Sequence, residues 1–240
     1  MQSRSKRRQC VGEFLRRRSG APSSGTGCRY FADIMTDFHY YEPARGHRLA
    51  HDPLNSIIAP RPIGWISSCD GDGCCNLAPY SFFNAFNYQP PVIGFASIGY
   101  KDSVRNIAQT REFVWNLATQ TLGEAMNETC APFAHGVDEF ERAGLDKAPS
   151  RLVRAPRVAA SPVSFECRLT QILQLRDQHD APLQTWLVLG EVVAVHIDKA
   201  MLVDGVYDTV LAEPLLRGGG PADYFSVSDA QRSYMWRPGA

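Results

Sequence analysis

The sequence predicts a mainly β protein, a single barrel of strands decorated with short helices, and three observations carry that reading. Val163, Phe165, Cys167 and Leu169 alternate with Ser164, Glu166, Arg168 and Thr170, the period-two pattern of a strand with one buried face. The run over 186–197 is apolar on both faces, as a central barrel strand requires. No regular β-α-β alternation, internal repeat or interdomain linker breaks the chain after residue 35, which argues against a helix-covered parallel sheet.

Residues 40–59 are rich in turn formers, and Pro60 and Pro62 forbid regular pairing until Ile63. The first strand is expected over 63–68. Asp70-Gly71-Asp72-Gly73 is the strongest hairpin signal in the chain, because Gly supplies the positive φ of a tight turn. A return strand is expected over 74–77, an aromatic loop or irregular strand over 78–88, and a further strand over 92–98 after Pro90-Pro91. Asp102 or Ser103 then reads as an N-cap, with Val104, Ile107 and Ala108 on one face of a helix over 103–110. A strand over 113–117 follows. Leu122, Ala125, Met126 and Thr129 share a helical face, and a second short helix over 138–143 is closed by Gly144. Turns are expected over 177–180 and at Asp204-Gly205.

Composition sets bounds on function. The 240 residues are 44% hydrophobic and 21% charged, with formal net charge zero, which suits a globular rather than a disordered chain. Residues 1–34 hold eight Lys and Arg against Glu13 and Asp33, so the body carries about −6, which argues against nucleic-acid binding. No apolar run approaches the roughly 18 residues of a membrane span, so a soluble protein with no membrane association is expected. The Arg-, Ser- and Gly-rich leader over 1–34 lacks hydrophobic periodicity and is expected to be disordered. Translation from Met35 is the preferred reading, with a basic tail or an organelle-import peptide as alternatives. Seven cysteines at irregular spacings suit a reducing, cytoplasmic compartment. Cys69, Cys74 and Cys75 contain no Cys-x-x-Cys, so they are read as structural or incidental thiols and no metal site is expected.

The segment over 59–103 is the most informative about chemistry. Two strand-like runs flank a loop of Asn, Ser, Tyr, Phe and Pro, and the second run ends in Lys101-Asp102-Ser103 where a helix begins. Ring walls, neutral hydrogen-bonding groups, a cation, a hydroxyl and free backbone N–H groups together suit a flat aromatic ligand carrying a phosphate. The chain has neither the Gly-rich dinucleotide fingerprint nor a nucleotide-hydrolase phosphate loop, and no nucleophile elbow. Asp138, Glu139 and Glu141 read as a solvated helix face, and His135 beside them is a candidate acid or substrate contact. No protein nucleophile or base stands out, which is expected where a cofactor carries the reaction.

Arg61-Pro-Ile-Gly-Trp-Ile-Ser-Ser68, Asn76-Leu-Ala-Pro-Tyr-Ser-Phe-Phe-Asn84, Pro90-Pro91 and Lys101-Asp102-Ser103, in this order and spacing, resemble the flavin reductase-like, FMN-binding split-barrel family. The resemblance spans about residues 38–225. It implies a homodimeric split barrel over 35–240 holding FMN. It also implies an oxidoreductase that passes hydride from NAD(P)H through flavin to a partner oxygenase or small acceptor. Members that act as flavoredoxin-like electron carriers without nicotinamide turnover, and a non-enzymatic barrel binding another ligand or a protein, are the alternatives. Carried over position by position, Asn76, Ala78, Pro79, Tyr80, Ser81 and Phe82 would meet the ring edge and ribityl chain, and Lys101, Asp102 and Ser103 the phosphate. Trp65, Ser67 and Ser68 would line the strand beneath the flavin, with a core role equally open for Trp65. One departure stands out: relatives tend to have Arg-Leu-Gly-Gly before a Tyr near the C-terminus, whereas this chain has Arg217-Gly218-Gly219-Gly220 and then Tyr224. Loss of a Leu there is expected to add backbone freedom.

Overall fold

The computed structural model describes residues 38–239; the expectations for a leader over 1–34 and for a start at Met35 lie outside the described residues. Residues 38–48 contain a 3-10 turn, Pro43–Arg45, closed by the Gly46 N–H on the Pro43 carbonyl at 3.1 Å.

From residue 49 the chain forms α1 (Leu54–Ile57), β1 (Arg61–Pro62), β2 (Gly64–Cys69), β3 (Cys75–Tyr80), β4 (Phe83–Asn87), β5 (Val92–Ile98), α2 (Asp102–Thr110) and β6 (Glu112–Asn116). It continues through α3 (Gly123–Glu128), α4 (Glu139–Arg142), β7 (Lys147–Ala148), β8 (Arg157–Val158), β9 (Val163–Arg176) and β10 (Pro182–Ile197). Short pairs follow: β11 (Leu202–Val203) with β12 (Val206–Tyr207) around Asp204-Gly205, and β13 (Leu216–Arg217) with β14 (Tyr224–Phe225). The predicted hairpin forms at Asp70–Gly73: the Asp70 side chain accepts from the N–H groups of Asp72 and Cys74, and Gly73 sits at φ +90°.

Seven strands make one antiparallel sheet in the order β3-β2-β6-β9-β10-β5-β4. Its outer strands, β3 and β4, are joined by only Ser81 and Phe82. In a flat sheet they would lie six strand spacings apart, about 29 Å, whereas three Cα steps reach at most about 11 Å. The sheet therefore curls until its outer strands meet. Aromatic side chains pack the curled sheet: the Tyr80 ring lies 4.4 Å from that of Phe95, and Phe83 stacks on Trp115 at 5.6 Å. The result is a mainly β split barrel, as the sequence predicts.

Both faces of β2 are buried, so it carries no polar-out face at all. Ile66 joins Phe95, Phe113, Val104, Ile107 and Val188 in the barrel core, while Trp65 joins Leu77, Met126, Phe140 and Val158 in a second core outside it. The helix α2 closes onto the barrel through Val104 and Ile107, both fully buried.

Of the two alternatives for 78–88 the irregular strand holds: β3 runs on to Tyr80, β4 begins at Phe83, and its pairing with β5 shifts register between Ala85 and Asn87. Two local expectations are corrected. The N-cap of α2 is Lys101, not Asp102 or Ser103, and no side chain caps the helix. The strand expected over 163–170 extends to Arg176, because β9 and β10 continue as a hairpin past the buried core, where pairing of backbone groups no longer needs an apolar face.

Candidate functional site

Gly99, at φ +91°, turns the chain out of β5, and Lys101 in extended geometry delivers it into α2. The N–H groups of the first helical turn have no intrahelical acceptor, and here no side chain supplies one. On the adjoining β3 the buried Asn76 donates its side-chain amide to the Ser103 hydroxyl at 2.8 Å, fixing that hydroxyl in the first turn. A cavity of about 520 Å³ opens over this corner, within the range of small-molecule sites.

Its lining gathers Asn76, Ala78, Pro79, Tyr80, Lys101, Asp102, Ser103 and His135. The residues 129–133 and Glu139 complete it. Burial pushes the Tyr80 phenol up, and the nearby Ser103 and Ser97 hydroxyls offset only part of that; the phenol oxygen is itself buried.

The negative charges at the cavity are managed. Asp102 pairs with Arg105 and with His135 Nδ1 at 2.9 Å, which makes His135 a partner of Asp102 at the exposed rim. Glu139 corrects the expectation of a solvated acidic face. It is buried, its Oε2 accepts the Leu77 N–H at 2.9 Å, and burial holds its carboxyl above the usual range. Asp138 is the N-cap of α4 and pairs with Lys147. Only Glu141 of the three is exposed.

The remaining candidates stand elsewhere. Trp65 is wholly buried in the outer core, its indole N–H donating to Thr129 Oγ1 at 3.1 Å. Ser67 is buried and donates to the Pro156 carbonyl, and the buried Ser68 accepts from Asn106 at 3.4 Å. Ser81 and Phe82 form the β3–β4 link and lie outside the cavity lining. Arg61 holds that link. Its Nε donates to the Ser81 carbonyl at 3.1 Å, its guanidinium lies 5.7 Å from the Phe82 ring, and its other nitrogens bond the carbonyls of Asn55, Ile58 and Gly218. Burial, then the nearby Arg217, lowers its pKa.

The C-terminal glycines lie in a hydrogen-bonded, packed segment. Gly218 pairs its N–H with the Asp223 carbonyl at 2.8 Å, and Arg217 reaches the carbonyls of Gly219, Gly220, Pro221 and Asp223. A Cβ at Gly219 would stand 1.8 Å from Ser56 Oγ, so the run is packed, and a side chain there has no room.

Residues 130–133 carry no periodicity, and the run Cys130-Ala-Pro-Phe133 offers only a proline and an aromatic as signals; Thr129 is legible only as part of a helical face. Glu139 escaped the sequence reading because a buried acid on a four-residue helix has the same local pattern as a solvated one.

A curled seven-strand sheet with an anion-suited helix start at its rim is the architecture of a split-barrel ligand-binding protein. Residues 57–211 match the flavin reductase like domain, more than half of the chain, and the protein belongs to that family. An uncharacterised protein of Deinococcus radiodurans is 32% identical over 81% of this chain and 88% of its own length. The structure of 2-nitrobenzoate 2-nitroreductase from Pseudomonas fluorescens is similar at 30% identity and TM-score 0.68, covering 78% of this chain and 89% of that one. Nitrilotriacetate monooxygenase component B from Bacillus cereus matches at 26% identity and TM-score 0.71, over 90% and 100% respectively. The family and these neighbours support a flavin-related oxidoreductase. Among the described residues no helix is long and apolar enough to cross a membrane, and no cluster of His, Cys, Asp and Glu could hold a metal.

Proposed function

We propose that the protein is an FMN-dependent oxidoreductase of the NAD(P)H:flavin reductase type. The observation that carries the reading is the uncapped start of α2 with Lys101 and the Asn76-held Ser103 hydroxyl, opening on a cavity walled by Ala78, Pro79 and Tyr80. These donors suit a phosphate: a cation, a hydroxyl and helix-start N–H groups converge, while Arg105 neutralises the nearest carboxylate. Ala78, Pro79 and Tyr80 would flank the ribityl chain and ring edge, with the Ser81–Phe82 link bordering the ring. When bound, FMN supplies the hydride-accepting ring that the chain's own side chains lack. Glu139, which accepts the Leu77 N–H, would keep the β3 backbone in place.

In this reading NAD(P)H is the reductant and a partner oxygenase or small acceptor the oxidant; the likeness to a 2-nitrobenzoate 2-nitroreductase and to a monooxygenase component makes nitroaromatic carboxylates and monooxygenases the acceptors to try. A homodimer agrees with the exposed Phe86, Tyr88 and Ile98 on and beside β4 and β5. The free thiols of the described cysteines agree with a cytoplasmic setting, and residues 35–240 are assigned to one flavin-binding domain.

Fluorescence titration with FMN and riboflavin tests the site: Lys101→Ala should weaken FMN while leaving riboflavin unchanged, and equal losses for both ligands overturn the phosphate assignment. Anaerobic mixing of the FMN-loaded protein with NADH and NADPH tests the reaction. Rapid bleaching of the oxidised-flavin absorbance, followed by recovery on adding 2-nitrobenzoate or free FMN, is expected; no bleaching with either nucleotide favours an electron carrier.

A further inference from the structure

Cys69 and Cys75 face each other as register partners on β2 and β3, and their Sγ atoms lie 2.7 Å apart. The neighbouring pair is joined by the Asp70 N–H on the Cys74 carbonyl, so Cys69 and Cys75 occupy the next, non-hydrogen-bonded position. Cα atoms at such positions lie about 4.5 Å apart, inside the range a disulfide spans, so the bond closes without moving the strands. Cys74 does not compete: it sits in the turn, with its Sγ on the Gly136 carbonyl at 3.4 Å.

The two sulfurs are unequal. Cys69 is 8% exposed whereas Cys75 is half-buried, and both open on a cavity of about 320 Å³ bordered by Lys147 and Arg154. The adjoining Cys69 sulfur, then the Lys147 ammonium, holds the Cys75 thiol below the usual range, while the Cys75 sulfur and burial push Cys69 up. Cys75, the less buried of the two, is the member that a dissolved oxidant reaches first.

We propose that Cys69 and Cys75 are a redox-active dithiol that a small hydroperoxide oxidises to a cross-strand disulfide, with Cys75 attacking and Cys69 resolving. In the first step the Cys75 thiolate attacks the peroxide: an S–O bond forms, the O–O bond breaks, and hydroxide (or alkoxide) leaves. In the second the Cys69 sulfur displaces the sulfenic oxygen, which departs as water with the Cys69 proton. Two electrons pass from the dithiol to the peroxide.

The test treats the reduced full-length protein with a slight excess of hydrogen peroxide, alkylates after acid denaturation, and maps the peptides. A linked Cys69–Cys75 peptide is expected, with Cys130 and Cys74 still alkylated. Cys75→Ser should consume peroxide about tenfold more slowly, and Cys69→Ser should trap Cys75 as a dimedone adduct. Full alkylation of both residues after peroxide, linkage through Cys74, or unchanged peroxide consumption by Cys75→Ser overturns the proposal. The wild-type map needs no variant, so a folding defect in Cys69→Ser does not shield it.

Discussion

Asn76 on β3 donates to the Ser103 hydroxyl on α2 at 2.8 Å, with both residues buried, so a strand on one edge of the barrel sets the position of a donor in the first turn of a helix. Removal of either side chain should disturb the same ligand contact. Ser103→Ala and Asn76→Ala should each weaken FMN binding by about 1.5–3 kcal/mol, and the double variant by clearly less than the sum. Titration of all four proteins checks this; additive losses would separate the two residues.

Arg61 binds carbonyls from four separate places: residues 55, 58, 81 and 218. Arg61→Ala leaves those acceptors unpaired and should cost about 3–5 kcal/mol of stability in urea unfolding. Arg61→Lys should recover only a minor part, because an ammonium lacks the planar fork that reaches several carbonyls. Full recovery by Lys would show that charge alone matters at this position.

Glu166 lies fully buried at the end of three N–H groups, Arg151 at 2.8 Å, Leu152 at 2.6 Å and Val153 at 3.1 Å, with His196 Nε2 at 2.5 Å. Burial alone would push its carboxyl up, but His196 and the three N–H groups outweigh it and hold the pKa down. With the folded pKa below the unfolded value of about 4.3, its contribution is present above that value and lost as pH falls through the folded pKa. Glu166→Gln should cost about 3 kcal/mol at neutral pH and flatten the acid limb of stability against pH. Glu139, held up by burial, has the opposite sign: its contribution is lost as pH rises through the folded pKa. Glu139→Gln keeps an acceptor for the Leu77 N–H and should be tolerated. Denaturant midpoints from pH 3 to 8 on both variants check the two signs.

Gly190 in β10 faces the fully buried Phe113, and a Cβ there would stand 2.4 Å from the ring edge and 3.2 Å from the Arg168 carbonyl. Neither neighbour has room to move in a packed core. Gly190→Ala should destabilise by about 1–3 kcal/mol, measured as a shift in the urea midpoint with no change in slope; a neutral substitution would show that Phe113 has an alternative rotamer.

Elements whose signals are local were legible in the sequence. Alternation over 163–170, the Asp-Gly-Asp-Gly turn and the spacing of Val104, Ile107 and Ala108 each express a preference of the backbone within a few residues, and strand, hairpin and helix lie there. The ring-wall and Lys-Asp-Ser segments were legible because they are contiguous. What the sequence could not show was any relationship set by curvature. The direct β3–β4 link forces the sheet to close, and closure decides that Trp65 and Ser67 are core, that Glu139 is buried, and that residues 129–133 border the cavity. Cys69 and Cys75 likewise read as scattered thiols until strand register placed their sulfurs in contact. Local sequence determined which segments become strands and which donors begin a helix; pairing between distant segments, driven by burial of both faces of β2, decided which side chains meet.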